Sequence, residues 1–164
     1  MVEDWRQDRM GVAERGENPT VLARLTSGFA VIGDTQFLPG YCLLLASPRV
    51  GHLTDLPLNR RSTFLREMSL IGEAIEAVCR PHRLRRVNYE ILGNTDPYLH
   101  AHVFPRYDWE PVEYVGHTVF RYPPEKWSDS RYQLSEKTHG LLRAELTQAL
   151  RRLVGDQGLE GAGG

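Results

Sequence analysis

His100 and His102 stand two residues apart in Leu99-His100-Ala101-His102-Val103-Phe104, a run that reads as a β-strand. Gly93-Asn94-Thr95-Asp96-Pro97-Tyr98 leads into it and Pro105-Arg106 closes it. Side chains alternate along a strand, so both imidazoles face the same way with Cα atoms roughly 6.5–7 Å apart. Two rings so placed reach one small reacting group. Near neutral pH imidazole serves as a nucleophile, a general acid-base or a metal ligand. The plainest reading is two structural histidines that share a face. A second is a His-x-His metal site for zinc or iron. Its third ligand would come from His52, His117, His139 or Glu90, none at a spacing that specifies a site.

The elements that would position this pair follow from pattern and punctuation. A short peripheral helix is expected over 2–15, ended by Gly16-Glu17-Asn18-Pro19. Strands are expected over 21–26 and 29–32, joined by a turn at Ser27-Gly28, then over 41–46, 87–92 and 99–104. Phe64, Met68, Ile71, Ile75 and Val78 recur at helical spacing, which predicts a helix over 60–79 with Asn59 as N-cap and Pro81 as the stop. Residues 107–134 are rich in aromatics and prolines and predict an ordered arm without regular elements. A last helix is expected over 136–154 from Leu142, Leu146, Ala149 and Leu153. The final ten residues hold five glycines and are expected to be disordered.

The chain has 164 residues, 41% hydrophobic and 25% charged, which suits one domain, over 1–154, with a sizeable core. A formal net charge of −1 advertises no nucleic-acid or membrane partner. Cys42 lies in an apolar strand-like run and Cys79 at the end of a helical pattern, so buried reduced thiols are expected. There is no signal-peptide core at the N-terminus and no apolar run near the ~20 residues of a membrane span. A soluble cytoplasmic protein is the expectation.

The stretch Tyr98-Leu99-His100-Ala101-His102-Val103-Phe104, followed by Pro105-Arg106 and preceded by Gly93-Asn94, resembles the signature of the histidine triad (HIT) family. Gly28 to Ile32, Leu38 to Leu45 and Arg49 to Leu56 resemble that family's strands, its Pro-Gly entry and its basic loop. The likeness spans about Arg24 to Tyr107, and the ending with its longer arm looks most like bacterial diadenosine polyphosphate hydrolases. The resemblance implies an α+β fold: about five antiparallel strands, a long helix on one face and a C-terminal helix. It also implies a homodimer.

By the same resemblance His100 is the nucleophile that attacks the α-phosphorus of a nucleotide, and His102 is the partner of the leaving oxygen. The substrate would be a dinucleoside polyphosphate or a nucleotide phosphoramidate or ester. No cofactor is required, though magnesium can accompany the nucleotide. Asn94 and Thr95 would hold phosphate oxygens, or simply form the turn. Asp34, one residue from the family's ribose-contacting position at Gly33, would bind ribose, and Phe29, Val31 and Leu43 would line a base cleft or ordinary core. His52 reads as structural; Arg106 touches substrate or closes the strand. Two positions depart from the family: Tyr98 replaces the first triad histidine, and Tyr41 replaces the histidine after Pro-Gly. Their hydroxyls are expected in one network beneath His100. The rival function is a nucleotide-binding or sensing protein without catalysis.

Overall fold

The computed structural model describes residues 4–160, with side chains to 155. Five antiparallel strands form one sheet in the order β1-β2-β3-β5-β4: β1 is Val21–Arg24, β2 Gly28–Ile32, β3 Cys42–Ala46, β4 Leu84–Ile91 and β5 His100–Tyr107. The helices are α1 (Arg9–Glu14), α2 (Leu58–Cys79), α3 (Val112–Val115), α4 (Pro124–Ser128) and α5 (Glu136–Glu160). The α+β architecture read from the sequence is the one observed.

Strand alternation divides the sheet into two faces. Ala30, Ile32, Cys42, Leu44, Ala101 and Val103 pack against Phe64, Ile71 and Ile75 of α2, and α5 adds Leu146, Ala149 and Leu150 to this core. Glu67, buried on α2, accepts hydrogen bonds from the Thr26 and Ser27 amides at 2.9 and 2.8 Å, which ties the β1–β2 turn to the helix. The other face presents His100, His102, Leu43 and Leu45. Cys42 and Cys79 are buried and free, as expected.

Several boundaries differ from expectation. α2 starts at Leu58 behind Pro57, so Asn59 lies inside the first turn and caps nothing. Pro105 sits within β5 rather than closing it. β3 pairs with β5 only as far as Val103, so beyond it one side of β5 is an edge, where a missing N–H is tolerated. The arm is not irregular: it contains α3 and α4. α5 continues through Gly155 to Glu160, past the expected end at Val154; helical glycine costs only ~1 kcal/mol, so glycine content alone does not stop a helix. Residues 161–164 of the expected disordered tail, and Val2 and Glu3 of the expected first helix, lie outside the described residues.

Candidate active site

β5 runs between β3 and β4, with His100 opposite Leu45, and His102 opposite Leu43 on one side and Glu90 on the other. The two rings lie 4.9 Å apart between centroids, at 75° to each other. His100 is 5% exposed, and its Nδ1 stands 2.8 Å from the main-chain carbonyl of Tyr98. A carbonyl only accepts, so Nδ1 carries a proton, and in the neutral form of the ring the lone pair lies on Nε2.

The arrangement at His102 is the reverse. Its Nδ1 lies 2.8 Å from the Tyr41 hydroxyl. Burial, then the neighbouring His100, lowers the His102 pKa from 6.5 to about 4, so the ring is neutral at pH 7. Burial also raises the pKa of Tyr41, so its phenol keeps its proton, and with no other acceptor among the described residues the hydroxyl donates to Nδ1. The His102 proton then resides on Nε2. One ring offers a lone pair and its neighbour an N–H.

Tyr41 is fixed by the turn before β3. Gln36, 2% exposed, donates from Nε2 to the carbonyls of Gly33 and Tyr41 at 2.9 and 3.0 Å and accepts from the Gly40 amide at 2.8 Å. A Cβ at position 33 would come within 2.3 Å of Cδ1 of the Tyr41 ring, so glycine there makes room for the phenol. Phe104 stacks on Tyr41 at 4.3 Å, and Phe120 from the arm meets His102 edge-on at 5.4 Å.

The expected joint network of two hydroxyls beneath His100 is therefore corrected. Tyr41 reaches His102 instead, and Tyr98 orients His100 through its main chain. The Tyr98 ring lies beside His100 with the Arg49 guanidinium 4.9 Å above it.

A cavity of about 200 Å³ opens beside the pair, over Val31, Leu43 and Leu45. Asp34 lines it, but its carboxylate is engaged by both terminal nitrogens of Arg9, one at 2.9 Å. Phe29 is not in the cavity; Met10 and Ala13 of α1 bury it, because the N-terminal segment folds back over this face. Asn94 and Thr95 are exposed on the turn and do not reach the cavity, whereas Asp96 does. His52 is exposed in the loop after β3. His52, His117, His139 and Glu90 supply no third ligand: among the described residues no group of three or more His, Cys, Asp or Glu is placed to hold a metal.

Arg106 lies 2% exposed and outside the cavity. It pairs with buried Glu110 at 2.8 Å and donates to Asn88 at 3.0 Å and to the Tyr114 and His117 carbonyls. Tyr122 donates to the same carboxylate at 2.8 Å. This network folds the arm back and delivers Phe120 and Trp127 to the site.

Sequence reasoning missed Arg9, Asn18, Thr20, Thr35 and Trp127, which all line the cavity. Arg9 comes from a segment read as peripheral; Met10 and Val12 beside it were the available sign that the segment docks. The buried Thr35 hydroxyl has no hydrogen-bond partner in the structure.

A family model described as HIT domain matches residues 16–109, more than half of the chain. A search of the curated proteins finds no match. Among solved structures, the fold is similar to a histidine triad protein from Marinobacter aquaeolei VT8, with a TM-score of 0.66 and 21% identity over 81% of this chain and 89% of that one. A histidine triad nucleotide-binding protein from Sulfolobus tokodaii aligns with a TM-score of 0.64 and 11% identity over 88% and 91%. A zinc-bound histidine triad family protein from Mycobacterium smegmatis aligns with a TM-score of 0.51 and 18% identity over 92% and 94%.

Proposed function

The chain belongs to the HIT domain family, and from that premise we propose that it is a nucleotide hydrolase or transferase acting through a covalent nucleotidyl-His100. The observation that carries this reading is the pair of Nδ1 contacts, to a carbonyl at His100 and to a phenol at His102, which set opposite tautomers on the two rings. The His100 Nε2 lone pair attacks the α-phosphorus, and the bond from phosphorus to the leaving oxygen breaks. The His102 Nε2–H donates a hydrogen bond to that oxygen as its charge grows. The new imidazolium keeps its Nδ1–H on the Tyr98 carbonyl, which accepts more strongly from a cation. Water then attacks phosphorus, the P–N bond breaks, the nucleoside monophosphate departs and one proton passes to solvent. Splitting the reaction in two, with both rings fixed on a strand, suits a transfer whose catalysis is largely positioning.

On this reading Tyr98 occupies the first triad position without harm to the nucleophile, since a carbonyl does the orienting. Val31 and Leu43 form the apolar bed of the nucleoside. Asp34 takes ribose hydroxyls only by sharing or releasing Arg9. Magnesium, where present, arrives with the substrate. The protein works as a homodimer in the cytoplasm; β4 has an unpaired edge with Tyr89 exposed, and no described helix is long and apolar enough to cross a membrane.

Tyr41 and Tyr98, standing where the family carries histidines, favour a second reading, a nucleotide-binding protein without catalysis. The two readings separate in one experiment. The protein is incubated with diadenosine polyphosphates, adenosine phosphoramidate and adenylylated lysine, and AMP release is measured for wild type and His100→Ala. The hydrolase reading expects turnover that the substitution abolishes. Turnover that survives it overturns the nucleophile. Binding of AMP with no turnover establishes the alternative.

A further inference from the structure

Glu90 of β4 stands directly opposite His102 of β5, so their side chains share one face with Cβ atoms roughly 4.5–5.5 Å apart. The nucleoside bed lies on the other flank of the pair, over Val31, Leu43 and Leu45 of β2 and β3, and no β4 residue lines that cavity. A leaving group held by His102 and displaced in line from His100 therefore has β4 as its open side. Resting on the nucleotide reading above, we propose that Glu90 is a specificity-determining residue: its carboxylate selects, by charge, which leaving groups the site releases. Groups that carry positive charge as the bond to phosphorus breaks are favoured, and groups that leave as anions are penalised.

Nothing in the fold consumes the Glu90 charge. Among the described residues it joins no ion pair, and the cation that acts on it most, Arg106, is already matched by Glu110 at 2.8 Å. Arg86, on the same face of β4, lies four residues and roughly 13 Å along the strand. His102 alongside is neutral and brings no opposing charge. Burial raises the Glu90 pKa above its ordinary 4.5 by more than Arg106 and the Val119 main chain lower it, which marks a carboxylate short of partners. Phe120, half exposed, meets His102 edge-on at 5.4 Å and adds an apolar wall. This flank suits an alkyl stem that ends in a cationic nitrogen. In a phosphoramidate that nitrogen takes a proton from solvent and becomes cationic. His100 Nε2 then bonds to phosphorus, the P–N bond breaks with its electron pair on nitrogen, and a neutral amine departs. A carboxylate alongside stabilises the cation through that step. A polyphosphate instead gathers negative charge beside Glu90, and like charges so close repel.

The test compares kcat/KM for adenylylated lysine and diadenosine tetraphosphate, which share the adenylyl half, in wild type, Glu90→Gln and Glu90→Asp without divalent cations. Wild type should prefer adenylylated lysine. Glu90→Gln should move the ratio of the two by about tenfold or more toward diadenosine tetraphosphate, and Glu90→Asp, which keeps the charge, should move it by less than about threefold. The Glu90→Gln shift should shrink as salt is raised, as an effect of charge through space must. Adenosine, which has no leaving group, should bind wild type and Glu90→Gln within about twofold of each other, and thermal melts confirm that each variant folds. A wild-type preference for diadenosine tetraphosphate, a ratio unchanged in Glu90→Gln, both substrates slowed alike, or a shift that salt leaves untouched overturns the role of Glu90 and leaves the nucleotide reading standing. Turnover of neither substrate by wild type overturns the hydrolase reading and this inference with it.

Discussion

Along β5, His100 and His102 at one end and Arg106 at the other project from the same face of one strand, yet they meet opposite fates. At the Arg106 end the arm supplies a carboxylate and two carbonyls and β4 a side-chain amide, and the guanidinium becomes a buried anchor. At the histidine end each ring has one nitrogen occupied, by a carbonyl at His100 and a phenol at His102, while a cavity opens alongside. Alternation along a strand decides where a side chain points. What covers it decides whether it reacts or holds.

The sharpest way to break this contrast is His100→Ala. AMP release should fall roughly 10^4-fold or more while the melting temperature barely moves; a large loss of stability with modest loss of rate would make His100 an anchor too. Glu110→Ala should do the opposite. Leaving Arg106 buried without its carboxylate should cost about 3–5 kcal/mol in urea denaturation, with His100 chemistry intact in the molecules that stay folded.

The next effect is a pH dependence. The folded protein holds His102 neutral down to about pH 4, while the unfolded chain takes up a proton near 6.5. Between those values the unfolded state binds more protons, so stability rises with pH across the window and falls by up to about 3 kcal/mol as pH drops through it. Denaturation at pH 7 and pH 4.5 should show that slope in wild type and a shallower one in His102→Gln. Tyr41→Phe removes the hydroxyl that fixes the His102 tautomer and should lower kcat about tenfold, with little change in KM. Tyr98→Phe should be the mildest: the carbonyl and the ring both remain, so kcat within about threefold of wild type is expected.

The same contrast explains what could be read from the sequence. The fold was legible because it rests on period. Phe64, Ile71 and Ile75 mark one face of α2, and the strand alternation puts His100 and His102 on one side. Neither depends on distant residues. The protonation of the pair was not legible, since it is set by Tyr41, brought from 61 residues away, and by a main-chain atom that no side chain announces. Arg106 gave no sign of its role because its partners, Glu110 and the arm carbonyls, follow no period. Arg9 stood among many charges in a segment that buries only Met10, Val12 and Ala13, and only the folded chain shows its carboxylate partner, Asp34. Asn94 and Thr95 looked suited to phosphate by residue type, but the turn leaves them facing solvent.

The fit of the Tyr41 ring over Gly33 also constrains how this site can change over evolutionary time. With tyrosine at 41, any side chain at 33 collides with the ring, so substitution at 33 is closed until 41 has become smaller. The two positions must change in that order, 41 before 33. Each step alters the packing that holds the Tyr41 phenol on His102. A lineage that has taken the tyrosine is thereby committed to a bare backbone beside Asp34, and its route back to a side chain at 33 runs through loss of the phenol that sets the His102 tautomer.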